Sequence, residues 1–323
     1  MLELFRKNRI QTYFFVLIYV VLLRLFTFFN EYDGVSQGSI IYDLWGLTFG
    51  EDKVWYKIFS ILIIFYQAIL VNRLTELNNL SYVSSLIPGV FYVLVLSLIP
   101  DIHPLSPMLL GNTFIILAIM QLFQTIHRNQ RSKRLFNTGF FVSLAVFFDS
   151  GFIYYVPFFI VAVNAVILVR IRDVILYLLG VLTPFYFLTA YWVLLDQASV
   201  GYLRIWEQLR LFNYEFIYQN YGIIKSGIVG LLAIFIFAVL NTVITRTNIF
   251  VRNKLTFLFY LMVMSVAAFG LGFDTSLDDL QLIILPAGIL MGLYIVGIRR
   301  ISIAESIHLL LLILVVLFQY FLI

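Results

Sequence analysis

Long apolar runs recur along the whole chain, and they constrain its fold more than any other feature. A helix needs about 20 apolar residues to cross the hydrocarbon core of a bilayer. Eleven segments meet or approach that length, near residues 10–29, 55–72, 80–99, 108–126, 135–149, 152–169, 174–195, 225–244, 255–272, 281–298 and 305–323. The sequence therefore predicts an all-α polytopic transmembrane helix bundle of about 11 spans, forming one transmembrane domain over residues 1–323.

The composition leads to the same class of protein. Apolar residues make up 62% of the chain and charged residues 12%, whereas about a quarter of the residues of a soluble domain are charged. So few charges cannot cover a surface that faces water, so most of the surface must face lipid. The chain contains no Cys, which excludes disulfides, thiol nucleophiles and Cys-based metal sites.

The charged residues between these spans indicate which way the chain runs. With the N-terminus in the cytoplasm, 15 of the 21 basic residues fall in predicted cytoplasmic segments. The positive-inside rule then predicts a protein of the inner (cytoplasmic) membrane whose C-terminus lies outside. The short segments at 135–149 and 152–169 form either two full crossings or one re-entrant hairpin, and two crossings keep this charge pattern consistent.

The outer face is expected to be acidic, because 13 of the 17 carboxylates fall in predicted outer segments. The positive-inside rule does not require this excess. Two outer loops are long, at about 30–54 and 196–224, and each has an amphipathic pattern typical of a helix lying in the membrane interface. Any polar chemistry is therefore expected at the outer face.

Arg24 is a basic residue inside the first predicted span, close to its outer end. Its side chain either snorkels towards water or binds a phosphate or carboxylate at the mouth of a cavity. Glu31 and Asp33 follow in the first outer loop, where a carboxylate suits a general base or a ligand of a divalent cation. The alternative for this pair is a solvated turn, since Asp-Gly is a common turn sequence.

Other polar residues fall in shorter outer turns. Asp101 and His103, between the third and fourth spans, suit an acid–base or metal pair or a capped turn, although two ligands are too few for a metal signature. Asp149, between the two short spans, is interpreted as a helix cap. A solvated loop is expected to hold the last acidic group, Asp274, Asp278 and Asp279.

Basic residues in the second long outer loop are candidate contacts for an anionic head group or for lipid phosphates. They are Arg204, Arg210 and Lys225. No phosphate-binding glycine loop, nucleophile elbow or HExxH motif occurs. Ionisable residues are almost absent from the span centres, which argues against an ion-coupled transporter.

The layout of residues 10–195 resembles the GT-C-type glycosyltransferases, which use polyprenyl-phosphate-linked sugars. The segments that carry this resemblance are Leu23-Arg24-Leu25, Glu31-Tyr32-Asp33, Ile99-Pro100-Asp101, Thr138-Gly139-Phe140 and Tyr155-Val156-Pro157. An outer loop and four further spans follow at 196–323. The chain departs from the family at 110–113, where a second acidic residue is often found. It also resembles uncharacterised multi-span inner-membrane proteins of Bacteroidota.

The resemblance implies a transferase that handles a lipid-linked sugar at the outer face. Asp33 is then the catalytic base, with Glu31 as the alternative, and the substrate contacts are Arg24, Asp101, His103, Arg204, Arg210 and Lys225. The expected partners are membrane lipids, a polyprenyl-phosphate sugar and other membrane subunits, with no nucleic acid and no resident cofactor unless a divalent cation binds. Two rivals are a non-catalytic subunit of a cell-envelope biogenesis or secretion complex, which does not need the missing carboxylate, and a transporter or lipid flippase.

Overall fold

A computed structural model describes residues 2–6, 9–29, 54–99, 105–126, 130–166, 169–196, 222–244, 247–271 and 277–321 of the chain. All regular secondary structure in these ranges is helical, which confirms the all-α class. The α-helices are α1 (Leu2–Phe5), α2 (Ile10–Arg24), α3 (Val54–Leu77), α4 (Ile87–Leu96), α5 (Pro107–Phe123), α6 (Arg131–Phe148), α7 (Tyr155–Val166), α8 (Ile171–Leu194), α9 (Gly222–Ile244), α10 (Ile249–Leu271), α11 (Leu280–Gly297) and α12 (Ile301–Phe321).

Each of the eleven predicted spans coincides with one helix from α2 to α12, with bounds that differ by several residues. Within the described ranges, six helical segments are long and apolar enough to cross a membrane. They are Gln11–Phe28, Val54–Leu77, Ile171–Leu194, Ile249–Gly270, Leu280–Gly297 and Ile301–Gln319. Shorter apolar helices lie at Ile87–Leu96, Pro107–Phe123, Ser150–Asn164 and Ile223–Val239.

The third predicted span, 80–99, differs most from the structure, because α4 contains only ten residues. Pro88 lies in its first turn, where a fixed φ and a missing N–H suit the start of a helix. All ten side chains of α4 are buried, so this helix lies inside the bundle and does not need to match the thickness of the lipid.

The centre of the bundle is the crossing of α4 and α11, where two glycines let the backbones approach closely. A Cβ built on Gly288 would lie 2.7 Å from the Cα of Tyr92, and one on Gly292 would lie 2.5 Å from the Cα of Pro88. The later glycine faces the earlier partner, so the two helices are antiparallel. Small residues at such contacts are typical of helix packing in membranes.

Helices α6 and α8 also pack backbone to backbone, but in the parallel direction, because the side chains of Arg131 and Asp173 meet where both helices begin. A Cβ on Gly139 would lie 2.1 Å from the carbonyl oxygen of Tyr177, and one on Gly180 would lie 2.1 Å from that of Phe136. Each glycine therefore admits the backbone of the other helix. This close contact holds α6, which begins with a strongly basic turn, along the apolar helix α8.

One end of the bundle carries contacts between basic residues and distant parts of the chain, and we name it the basic end. The pairs are Arg6 with the carbonyl of Ile298 (3.4 Å), Lys254 with the amide oxygen of Asn78 (3.0 Å), and Arg131 with the carboxylate of Asp173. The opposite end, where the Gln281 amide donates to the Ser106 hydroxyl at 2.8 Å, is named the acidic end.

The relative directions of packed helices match a chain that runs back and forth between these ends. The α2 and α12 helices correspond to the first and eleventh predicted spans, and they are parallel. Tyr19 is hydrogen-bonded to His308 at 2.9 Å, and the Gln319 amide donates to the carbonyl of Leu23 at 2.9 Å. The α4 and α11 helices correspond to the third and tenth spans, and they are antiparallel as this alternation requires.

Candidate functional site

Charged side chains of both signs are buried where helices begin or end at the acidic end. We name these residues the buried charge set: Arg24, Lys57, Lys225, Asp149, Asp278 and Asp279. None of the six side chains is more than 9% exposed. Burying a charge is costly unless it is paired and hydrogen-bonded. Three cations and three carboxylates at one end of an apolar bundle therefore make this end the candidate site.

Arg24 is the last residue of α2, and its guanidinium is buried. The chain turns directly after it into a 3-10 helix at Leu25–Phe28, in which the Thr27 hydroxyl donates to the Arg24 carbonyl at 2.7 Å. The side chain lies within electrostatic range of Tyr92 on the central helix α4. Snorkelling towards water is therefore the wrong interpretation of Arg24, since only 3% of this residue is exposed.

Two lysines bring positive charge to the same end from other helices. Lys57 lies in the first turn of α3 and Lys225 in the first turn of α9, and both side chains are buried. The sequence predicts Lys225 as an anion contact, and its burial at the acidic end is compatible with that role. Lys57 was not among the predicted contacts. The signal that could have identified it is a lysine directly before a long, mostly apolar run, residues 58–71.

A chain of hydrogen bonds connects three helices beside Arg24. The Tyr92 hydroxyl of α4 donates to the amide oxygen of Gln67 on α3 at 2.7 Å. The Gln67 amide nitrogen donates in turn to the Leu109 carbonyl at 2.6 Å and to the Thr113 hydroxyl at 2.8 Å, both on α5. All four polar groups are thereby satisfied within the apolar interior, which fixes the relative positions of the three helices.

Asn112, one residue before Thr113, takes no part in this network. Its side chain is fully buried, and neither its amide nitrogen nor its amide oxygen has a hydrogen-bond partner among the described residues. The amide oxygen of Gln281, on α11, is likewise buried without a partner there. Buried polar atoms of this kind are rare in proteins and are often explained by a ligand or water.

Asp149 ends α6 and starts the 3-10 helix at Ser150–Tyr154. Its carboxylate accepts a hydrogen bond from the backbone N–H of Gly151 at 2.8 Å, which confirms the predicted cap. Burial raises the pKa of Asp149 to about 7; the Gly151 N–H opposes this shift, and nearby Asp278 adds to it. A carboxyl group with such a pKa exchanges a proton near neutral pH, as general acid–base catalysis requires.

Asp149 also lies beside the start of α5. A Cβ on Gly151 would lie 3.1 Å from the Asp149 carboxylate oxygen Oδ1 and 3.2 Å from the terminal methyl of Met108. The carboxylate and the side chain of Met108, from the first turn of α5, thus both lie against Gly151. The segment at 110–113 contains no acidic residue, so the adjacent turn brings a carboxylate to the beginning of that helix.

The predicted solvated loop at the last acidic group is wrong for the two residues that the structure describes, Asp278 and Asp279. Both are buried in a 3-10 helix, Leu277–Asp279, that leads directly into α11. Since α11 is buried along most of its length, the turn that starts it is drawn into the bundle as well. Asp274 lies outside the described residues.

Most of the predicted site residues fall outside the described part of the chain. Only Arg24 and Lys225 are described, and both are buried at the acidic end. The other six lie outside the described residues and stay predictions: Glu31, Asp33, Asp101, His103, Arg204 and Arg210. Among the described residues, no group of three or more His, Asp or Glu side chains is arranged to hold a metal ion.

Sequence reasoning missed the polar residues within the spans. Gln67, Asn112 and Gln281 each interrupt an apolar run, and each is fully buried. A lone amide in an apolar helix is the signal that could have identified them, because a polar group facing lipid is too costly to be common.

Comparison with known proteins supplies no further assignment. No protein-family model, curated protein or solved structure matches this chain.

Proposed function

We propose that this chain is a membrane glycosyltransferase-like protein that acts on a lipid-linked sugar at the acidic end of the bundle. The protein crosses a bacterial inner membrane eleven times, with a cytoplasmic N-terminus and with the acidic end outside. The relative directions of the packed helices support the eleven crossings, and the basic contacts at the opposite end support this orientation under the positive-inside rule.

The single observation that carries the proposal is the buried charge set. A protein that only spans the membrane has no need to bury three carboxylates with three cations, because such burial costs stability. A phosphate-linked sugar requires cations that hold its phosphate and a carboxylate that takes a proton from the acceptor hydroxyl. The acidic end supplies both kinds of group.

The cations would bind the lipid phosphate. Arg24 and Lys225 are the described candidates, with Arg204 and Arg210 from the second outer loop. Charge-assisted bonds from arginine to phosphate are short and directional, so they would hold the donor in one orientation. Burial of Arg24 beside Tyr92 pre-organises its guanidinium, which lowers the entropy lost on binding.

Two carboxylates have separate roles in the proposal. Asp33, with Glu31 as its alternative, is the base that accepts the proton of the attacking hydroxyl. Asp149 is the second acidic residue, beside the first turn of α5, in the region where the resemblance to GT-C enzymes lacks one. As the sugar passes to the hydroxyl, its bond to the phosphate oxygen breaks and the lipid phosphate leaves. The pKa of about 7 suits Asp149 as the acid that donates a proton to this phosphate and regains one from water afterwards.

The test is sugar transfer by membranes supplied with a synthetic polyprenyl-phosphate sugar as donor. The Asp33→Asn and Asp149→Asn variants are each expected to lose transfer by at least about 100-fold, the usual contribution of general acid–base catalysis. The control is Asp196→Asn, which changes an exposed carboxylate at the end of α8. Transfer at the wild-type rate by both test variants, folded and at equal abundance, would contradict the enzymatic assignment.

The second candidate is a non-catalytic subunit of a cell-envelope biogenesis complex. Helix α8 favours it, because large aromatic side chains near its acidic end are largely exposed, Tyr186 at 69% and Phe187 at 66%. Clustered aromatic residues are enriched at protein interfaces. This candidate predicts that another membrane protein co-purifies stably with the wild-type chain. The Tyr186→Ser/Phe187→Ser variant would lose that partner, and the Asp33→Asn variant would keep both the partner and normal function.

A further inference from the structure

A cleft separates the consecutive helices α11 and α12, and it consists of two cavities. At the basic end, a cavity of about 750 Å³ lies between the end of α11, the start of α12 and the segment before α4. Further along the bundle, away from the basic end, a groove of about 420 Å³ lies between α9, α11 and α12. No residue of the buried charge set lines either cavity, although the groove extends towards the acidic end as far as Leu98, Ile228 and Phe318.

The cavity at the basic end is positively charged and open to the surroundings. Arg299 and Arg300 line it, and both are exposed. The guanidinium of Arg6 lies beside this lining, since it donates to the carbonyl of Ile298, which lines the cavity. Helix α12 begins directly after Arg300, and the N-terminus of a helix favours a phosphate group.

The deeper groove differs completely in character, because every side chain that lines it is apolar. They are Leu98, Ile228, Leu231, Leu232, Phe235, Met291, Ile307, Leu310, Leu311, Leu314 and Phe318. Two of them, Leu231 and Leu310, are more than half exposed. In a membrane, this groove therefore opens to lipid hydrocarbon.

The two cavities adjoin each other. Phe235 lines the groove and Tyr294 lines the cavity, and their rings meet edge to face with centroids 6.1 Å apart. Along α12, Ile303 lines the cavity and Ile307, one turn later, lines the groove. A ligand with a charged head and a long apolar tail would occupy both.

We infer that the α11–α12 cleft binds an anionic diacyl phospholipid from the leaflet at the basic end. Its phosphate lies against Arg299 and Arg300, and one acyl chain follows α12 into the groove. The rise of α12 from Ile303 to Leu314 is about 16 Å, close to half of the roughly 30 Å hydrocarbon core and so to the depth of one leaflet. Basic pockets between spans at the cytoplasmic side are suited to such head groups.

This inference is independent of the proposed transferase activity, and binding is its readout. Delipidated protein in detergent is titrated with dioleoyl phosphatidylglycerol or with dioleoyl phosphatidylcholine, and occupancy is read by native mass spectrometry and by the thermal midpoint. Phosphatidylglycerol is expected to bind about 30-fold more tightly, since each of two arginines near an anionic lipid contributes about 1 kcal/mol. Equal binding of the two lipids by the wild-type protein would overturn the inference without any variant.

Variants locate the site. Arg299→Gln/Arg300→Gln is expected to abolish the preference for phosphatidylglycerol, whereas Lys133→Gln/Arg172→Gln, which removes two exposed cations at the basic end of α6 and α8, is expected to keep it. Gly297→Trp is expected to weaken the binding of both lipids. Gly297 lines the cavity with open space beyond its Cα, so the indole ring would occupy part of the cavity.

Three further results would overturn the inference. The first is a preference that survives the Arg299→Gln/Arg300→Gln change. The second is sn-glycerol 3-phosphate competing as well as the lipid, which would show that the groove holds no chain. The third is a preference lost only in Lys225→Met, which would move the head group to the acidic end.

Discussion

The carboxylate of Asp149 accepts the backbone N–H of Gly151 at 2.8 Å in a turn that is buried between α6 and α7. The hydrogen bond favours the charged carboxylate, but burial and the neighbouring Asp278 favour the protonated acid more strongly. The protein therefore holds a carboxyl group that titrates near neutral pH.

Because of the buried Asp149 carboxyl group, we predict that the free energy of unfolding falls as pH rises. Because the pKa of Asp149 is higher in the folded protein than its value of 3.8 without burial, the folded state binds the proton more tightly. The resulting stability is present below about pH 4 and is lost as pH rises towards 7, up to about 4 kcal/mol in total. In Asp149→Asn this dependence is expected to be absent between about pH 5 and pH 8.

The measurement is the thermal midpoint of the protein in detergent across that pH range, for wild type, Asp149→Asn and the control Asp196→Asn. The control is expected to follow the wild-type profile, since Asp196 is exposed. Parallel pH profiles for wild type and Asp149→Asn would show that Asp149 does not titrate there.

Gln67 is predicted to stabilise the bundle by joining α3 to α4 and α5. Gln67→Leu removes bonds to Tyr92, Leu109 and Thr113 and leaves the Tyr92 hydroxyl without an acceptor. We expect a loss of about 1–3 kcal/mol, the usual cost of an unsatisfied buried group. A double-mutant cycle with Tyr92→Phe, measured by denaturant unfolding in detergent, should give a coupling of about 0.5–2 kcal/mol; additivity of the two changes would contradict a shared bond.

The glycines between α6 and α8 are predicted to be intolerant of any side chain. Gly139→Val or Gly180→Val forces the two backbones apart, because even a Cβ would overlap a carbonyl oxygen of the facing helix. The expected result is a large fall in the yield of monodisperse protein. Gly227→Val and Gly230→Val are matched controls, since no atom lies within 4 Å of a Cβ built at either position; an equal fall in the controls would attribute the effect to helix composition instead.

The topology has a direct test, because the chain contains no Cys. Single cysteines are introduced as Asp196→Cys at the acidic end and as Lys133→Cys or Arg172→Cys at the basic end. All three positions are exposed. In intact cells, a membrane-impermeant maleimide is expected to label only the first, and lysis is expected to expose the other two. Labelling of Lys133→Cys before lysis would contradict the proposed orientation.

The positions of eleven helices could be predicted from sequence, because an apolar run of this length has few stable backbone structures other than a helix. The bounds of α4 could not, since its shortness follows from complete burial and from Pro88 in its first turn. The close packing of α6 against α8 could not be predicted either. It depends on Gly139 and Gly180 facing each other, and hydropathy contains no information about which helices are neighbours.

The candidate site also has features that could be predicted from sequence and features that could not. The sequence by itself determined that the described part of the chain is helical, with several helices long and apolar enough to cross a membrane. It also identified Arg24 as a charge within one of these apolar segments, because hydropathy and charge are properties of single segments. Only the tertiary structure decided that Arg24 is buried, that Asp278 and Asp279 are not in water, and that Asp149 lies beside the start of α5. Burial and electrostatic neighbours depend on contacts between residues distant in the chain, so packing alone brings these charges to one end of the bundle.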